Sequence, residues 1–198
     1  LTTVSLRAEL PPGMTVPAGF KVSVFAEEPM LASPVALSIA PNGNVYVTQT
    51  VRRKKSALDI RDHRDWLPQE LRFQTVQDKA AFYRKIMAPE FSDRTSRFLE
   101  DYNQDGIHDF NDLMVQSDKI HLLKDLDGDG RADESIVYGE GFNSITAGVA
   151  AGVLYHDGDV YVTITPDLWK LRDTDGDDKA DQRTSLSNGY GVHIAYGG

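Results

Sequence analysis

Three aspartate clusters hold the residue types and spacings best suited to chemistry. In Asp101-Tyr102-Asn103-Gln104-Asp105-Gly106-Ile107-His108-Asp109-Phe110-Asn111-Asp112, oxygen side chains stand at loop positions 1, 3, 5, 9 and 12, with glycine at position 6. A calcium ion takes six to eight oxygens at about 2.3–2.6 Å, and alternate side chains of a tight loop converge on one point when a glycine permits the reversal. The second cluster, Asp125, Asp127, Asp129, Gly130 and Asp133, repeats positions 1, 3, 5, 6 and 9 but has Ile136 at position 12. The third, Asp173, Asp175, Asp177 and Asp181, has Asp178 at position 6 and Thr184 at position 12. Backbone carbonyls of Ile107, Arg131 and Lys179 would fill position 7. These features imply up to three Ca2+ ions, with affinity falling from the first loop to the third. The competing reading is a set of solvated Asp/Gly turns, disfavoured because clustered carboxylates repel one another without a cation.

Catalytic candidates are fewer. His63 lies in Asp59-Ile60-Arg61-Asp62-His63-Arg64-Asp65-Trp66, where an imidazole among carboxylates and guanidinium groups can accept a proton from an alcohol; a hydrogen-bonded structural histidine is the alternative. His193 follows Gly191 near the C-terminal end and has the same two readings. The basic run from Arg52 to Lys55 suits either an anionic ligand or a solvated strand end, and Trp66 and Trp169 suit either sugar stacking or packing between sheets. No glycine-rich dinucleotide or phosphate loop and no Gly-X-Ser-X-Gly elbow occurs, which disfavours nicotinamide-dependent hydride transfer.

The elements that must position these residues read as β-strands. After a Pro/Gly-rich lead-in over residues 1–19, strands are expected at 21–25 and 34–39, then a Pro41-Asn42-Gly43-Asn44 turn and a β-branched run at 45–48. The pattern recurs: Asn44-Val45-Tyr46-Val47-Thr48 matches Asp159-Val160-Tyr161-Val162-Thr163, and the loop from Asp125 matches that from Asp173. The hairpins are 115 residues apart (159 minus 44) and the loops 48 apart (173 minus 125), which places an insertion of 67 residues at roughly 51–117. Within it, 78–87 has helical spacing with Pro89 as a stop, Pro68 starts an earlier turn, and 96–100 and 109–116 flank the first aspartate loop as short helical candidates. A repeat near 48 residues built of short strands suits a β-propeller blade. The fold expected is therefore mainly β: a partial propeller of about two blades, over 20–50 and 118–198, with a mostly helical insertion at 51–117. Two blades cannot close a ring, so the remaining blades are expected as partners.

The composition narrows the partners further. The 198 residues carry 30 acidic and 21 basic side chains, a net charge of −9, which argues against nucleic acid. The acid is local, because without the thirteen clustered aspartates the balance becomes 21 minus 17, or +4. With no cysteine there is no disulfide, thiolate metal site or covalent haem attachment in these residues. No apolar run is long enough for a transmembrane segment. Residues 1–30 lack a signal peptide's basic start and apolar run, and both ends are expected to be cut.

Residues 17–29 (Pro-Ala-Gly-Phe-Lys-Val-Ser-Val-Phe-Ala-Glu-Glu-Pro), residues 53–67 around His63, the Asp-Gly loops and Gly189-Tyr190-Gly191-Val192-His193 together resemble the membrane-bound dehydrogenases of planctomycetes, over nearly the whole chain. That family is similar to the glucose/sorbosone dehydrogenase β-propellers, and its full-length members add helical repeats and a c-type cytochrome domain. The resemblance implies the N-terminal part of an extracytoplasmic enzyme that oxidises a sugar or polyol and passes electrons to a quinone or haem, with a cytochrome c domain or subunit as partner. It also brings the segment of His193 toward the axial face. The Gly-His-Asp segment and the Cys-X-X-Cys-His motif of the family are not in this sequence. Calcium loops fill most readily where free calcium is high, which also points to a periplasmic or membrane-associated location. A second reading is a non-catalytic, calcium-dependent binding or adhesion propeller.

Overall fold

A computed structural model describes residues 13–194; residues 1–12 of the lead-in and the chain end at 195–198 lie outside the described residues. The protein is mainly β, and its described residues are built as two four-stranded antiparallel sheets in sequence order, with few helices and no closed barrel among them. The first sheet contains β1 (Pro34–Ile39), β2 (Val45–Gln49), β3 (Asp118–Lys124) and β4 (Glu134–Phe142). The second contains β5 (Ala150–His156), β6 (Asp159–Ile164), β7 (Asp167–Arg172) and β8 (Gln182–Asn188).

Both hairpins follow from their sequences. Gly43 has φ +90° and Gly158 φ +81°, the left-handed backbone that a tight reversal requires and glycine adopts at no steric cost. Their β-branched strands then pair in register, Val47 opposite Leu37 and Val162 opposite Val153. Residues 21–25 do not form the expected strand: this segment lies over a sheet face instead of beside a strand edge, with Phe25 and Ala26 packed against Val45 and Val47.

Between β2 and β3 the chain leaves the sheet. α1 (Leu67–Glu70) begins with Pro68 in its first turn, where a missing N–H costs nothing. α2 (Val76–Ile86) starts at Thr75, whose hydroxyl accepts the Asp78 N–H while Asp78 accepts the Thr75 N–H, a reciprocal cap. Val76, Lys79 and Tyr83, three and four residues apart, form its buried face. α3 (Ser92–Thr95) is one turn, and the stretch 96–100 that reads as helical is mainly turn. The candidate at 109–116 is a five-residue 3-10 helix, Phe110–Met114. These pieces enclose a second core of Phe73, Tyr83, Met87, Leu99, Leu113, Ile145 and Ile194. Among the described residues no helix is long and apolar enough to cross a membrane.

The sequence offsets become spatial equivalences. Val45, Val47 and Leu123 of the first sheet, with Ala132 of its β3–β4 loop, correspond to Val160, Val162 and Leu171 of the second, with Ala180 of its β7–β8 loop. The first set is covered by Phe25, Ala26 and Leu31; the second packs with Tyr46, Ile120, Leu122 and Tyr138 of the first sheet. The Ala132 N–H donates to the Phe25 carbonyl at 2.8 Å, and the Ala180 N–H to the Tyr138 carbonyl at 2.7 Å. The segment around Phe25 thus does for the first sheet what the first sheet does for the second.

Because every neighbouring pair is antiparallel, the connections alternate between two edges. The β1–β2 and β5–β6 turns share one edge with the aspartate loops after β3 and β7. The insertion, the β4–β5 link and the β6–β7 turn share the other.

Candidate functional site

At the first edge, the second and third aspartate loops are built by the same hydrogen bonds. Asp125 accepts the N–H groups of Gly128 and Gly130, Asp127 that of Asp129, Asp129 that of Arg131, and Asp133 that of Leu126. Forty-eight residues on (173 minus 125), Asp173 accepts from Gly176 and Asp178, Asp175 from Asp177, Asp177 from Lys179, and Asp181 from Thr174. At Asp173 burial opposes ionisation, and the surrounding backbone N–H groups outweigh it, holding the carboxyl below its ordinary range.

Carboxylate oxygens of Asp125, Asp127 and Asp133 lie within 4.8 Å of one another, as do those of Asp173, Asp175 and Asp177. Oxygens that close can share one ion with bonds of about 2.3–2.6 Å, so both donor sets fit a hard divalent cation. The aspartate at position 6 of the third loop has a reason. Asp178 adopts φ +67°, where Gly130 has φ +86°, and its carboxylate pairs with Lys124 of the first sheet. An aspartate tolerates this backbone better than most residues.

The first loop lies at the opposite edge, inside the insertion, and is arranged differently. Asp101 accepts from Asp105 and Gly106, and Asp105 from Ile107, as in the other loops. Asp109, however, accepts from Asn111 and caps the 3-10 helix. Asp112, fully buried, accepts from Tyr102, Asn103 and Asp109. Two of the carboxylates that the sequence assigns to calcium thus hold backbone, and this loop, ranked first from sequence, is not among the converging triplets of the described residues.

At this second edge the insertion, the β4–β5 link, the β6–β7 turn and the segment after β8 enclose a cleft of about 350 Å³. His193 lines it, half exposed, with Nδ1 3.2 Å from the Glu70 carbonyl oxygen and 3.4 Å from the Glu70 carboxylate. Lys79 also lines it; its ammonium donates to the carbonyls of Gly191 at 2.8 Å and His193 at 3.4 Å. Burial pushes this amine down to about 8, with Glu70 opposing. His63 is elsewhere: 8% exposed, it stacks on Trp66 at 3.8 Å and meets the edge of Phe98 at 4.6 Å. Burial depresses its proton affinity, with Asp62, Asp65 and Asp59 opposing. Trp169 packs against Phe142 and under Arg183.

The residues that hold the cleft together are not conspicuous in the sequence. Arg52 is not a solvated strand end: fully buried, it donates to the carbonyls of Leu113, Gln116 and Ala147. Asp118 accepts the N–H groups of Val51, Arg52 and Ala150, joining both sheets to the insertion. Burial lowers the Arg52 pKa to about 10, and Asp118 and Tyr83 oppose the shift. The only sequence signal for this hub is that Asp118 opens β3 outside any aspartate loop.

Residues 11–194 match a family described as a domain of unknown function, DUF7133. Comparisons with curated proteins and with solved structures return no match.

Proposed function

The chain belongs to the DUF7133 family, and we propose that it forms the first two blades of a calcium-stabilised β-propeller within an extracytoplasmic dehydrogenase that oxidises a sugar or polyol. The observation that carries the propeller reading is the repeat of contacts. Tyr138 and Phe142, which are 3% and 4% exposed where the sheets meet, correspond at the 48-residue offset to Leu186 and Tyr190, which are 48% and 52% exposed. Thr48, buried, donates to the Ala151 carbonyl of the next sheet at 2.8 Å, while its counterpart Thr163 is exposed. A third four-stranded sheet placed by the same step would cover Leu186, Tyr190 and Thr163.

Calcium in this reading is structural. Asp125, Asp127 and Asp133, and Asp173, Asp175 and Asp177, would hold it at the edge away from the cleft, neutralising carboxylates that otherwise repel. The resemblance to planctomycete dehydrogenases supports the redox assignment, and the cleft supplies a place for it. Oxidation of an alcohol carbon to a carbonyl releases two electrons and two protons. A quinone or haem held by the rest of the protein or by a cytochrome c partner would take the electrons. His193 is the residue that would receive the hydroxyl proton, oriented through Nδ1 by Glu70.

The experiment is dye-linked oxidation of sugars and polyols by the full-length protein, with thermal melting in calcium and in chelator. Turnover that His193→Ala reduces at least tenfold, with His63→Ala near wild type, supports the reading. Absence of turnover together with calcium-dependent glycan binding replaces it with a non-catalytic binding module, which the distance of the aspartate triplets from the cleft also suits. An unchanged melting midpoint and no bound calcium by elemental analysis remove the metal.

A further inference from the structure

The cleft differs in charge from the molecule that carries it. Acidic residues outnumber basic ones by 30 to 21 in the chain, yet among the described residues the cleft is lined by Arg53, Lys54, Lys79 and His193 and by no aspartate or glutamate. Two carboxylates stand nearby. Glu70, buried behind the wall, accepts the Ile194 N–H at 3.0 Å and faces the His193 ring. Asp59 is held by the Arg61 guanidinium at 2.6 Å. Among the described residues, the buried Glu70 carboxylate therefore stands against the two lysines of the lining, Lys54 and Lys79. Like charges on a low-dielectric wall focus the field and draw in an ion of the opposite sign.

The remaining lining is that of a small organic ligand. Ser56 and Thr165 bring hydroxyls, and Leu58 and Ile145 bring apolar surface. Ser56 is 2% exposed, and its Oγ has no hydrogen-bond partner among the described residues. A buried hydroxyl left unpaired costs about 1–3 kcal/mol, so a ligand oxygen that reaches it gains what the fold gives up. The Lys79 ammonium has three donors and spends two on the carbonyls of Gly191 and His193.

We propose that this cleft binds a small hydroxylated carboxylate, a sugar acid, with the carboxylate drawn by Lys79 and Lys54 and a ligand hydroxyl paired with Ser56. The sugar half of this assignment rests on the dehydrogenase reading, and the carboxylate half rests on the lining alone. The preference for carboxylate over neutral sugar is the new element. It makes the cationic wall a specificity device: a neutral hexose would leave the field unanswered.

The test is isothermal titration of the full-length protein with gluconate, glucuronate, glucose and glucose 6-phosphate at two salt concentrations. The expected result is saturable binding of at least one acid, with glucose at least tenfold weaker and affinity falling as salt rises. Lys54→Gln, at the exposed mouth, weakens acid binding about threefold, the scale of a single exposed charge. Ser56→Ala weakens it about fivefold, the scale of one hydrogen bond. Lys79→Met is the stronger but riskier variant, because its ammonium also ties α2 to the segment after β8. Equal affinity for glucose and gluconate, binding of glucose 6-phosphate without either acid, or no binding of the acids overturns the proposal. Acid binding without dye-linked turnover keeps it and removes the dehydrogenase; turnover of neutral sugars without acid binding does the reverse.

Discussion

The two sheets carry matching residues at matching positions and live in different surroundings. Among the described residues, the first is covered on one face by the segment around Phe25 and on the other by the second sheet; the second is covered on the face of Val160 and Val162 alone. The same tyrosine-threonine pattern is thus a sealed interior in one copy, at Tyr46 and Thr48, and a partly wet surface in the other, at Tyr161 and Thr163. Identity of sequence does not set the energetic value of a side chain; its neighbour does. Full burial of a large apolar group contributes about 1.5–3 kcal/mol, and an exposed one contributes almost none of that.

This difference can be broken by experiment, most sharply at a buried tyrosine between the sheets. Tyr138→Ala is expected to destabilise by about 3–5 kcal/mol in urea unfolding, against under about 1 kcal/mol for Leu186→Ala in the same 198-residue chain. Equal losses would mean that the second sheet's outer face is not a free counterpart of the first's. Calcium comes next: saturation at about 100 times Kd should stabilise by roughly 2.7 kcal/mol per site. Asp127→Asn and Asp175→Asn should each remove one such increment from the calcium-dependent rise in Tm, and Asp101→Asn should change it less, because the converging carboxylate triplets of the described residues lie in the second and third loops. A rise lost wholly on Asp101→Asn would reverse that order.

Smaller still is the threonine pair. Thr48→Val should cost about 1–2 kcal/mol through its lost bonds to Ala36 and Ala151, and Thr163→Val about half a kcal/mol or less, read by hydrogen exchange at Ala36 and Gly152. The smallest effect is one of pH. Asp159 occupies the place of Asn44 and is held below the usual carboxylate range by Arg172 and Lys170. A depressed folded-state pKa gives stability that is present above about pH 4 and lost as pH falls through the folded value. Asp159→Asn should flatten the acid limb of the stability curve by less than about 1 kcal/mol, while Asn44→Asp should steepen it.

Much of the β architecture was legible because its signals are local. Asn42-Gly43 and Asp157-Gly158 between β-branched runs specify hairpins, and the fixed offsets expose the repeat without any structure. The helix α2 was legible through its spacing, although its cap at Thr75 places its start two residues before the expected residue 78. Residues 21–25 misled because alternation records two unlike faces and does not say whether a strand edge or a sheet face receives them. β8 was quiet because its face lacks a covering layer, so Gln182, Arg183 and Thr184 show no apolar alternation. Arg52 was hidden for a different reason: its partners are backbone carbonyls of Leu113 and Ala147, and any residue supplies a carbonyl. The roles of Asp109 and Asp112 were obscured likewise, since a capping aspartate and a metal-binding one are the same residue until their neighbours are known.

The carbonyl of Phe25 bears on how such sheets can be added. By accepting the Ala132 N–H it stands where β4 stands for the second sheet, so among the described residues the first sheet's outer face is covered and the second sheet's is not. A further sheet stacked by the same step would therefore meet the outer face of the second sheet, because Phe25 already occupies the corresponding place on the first.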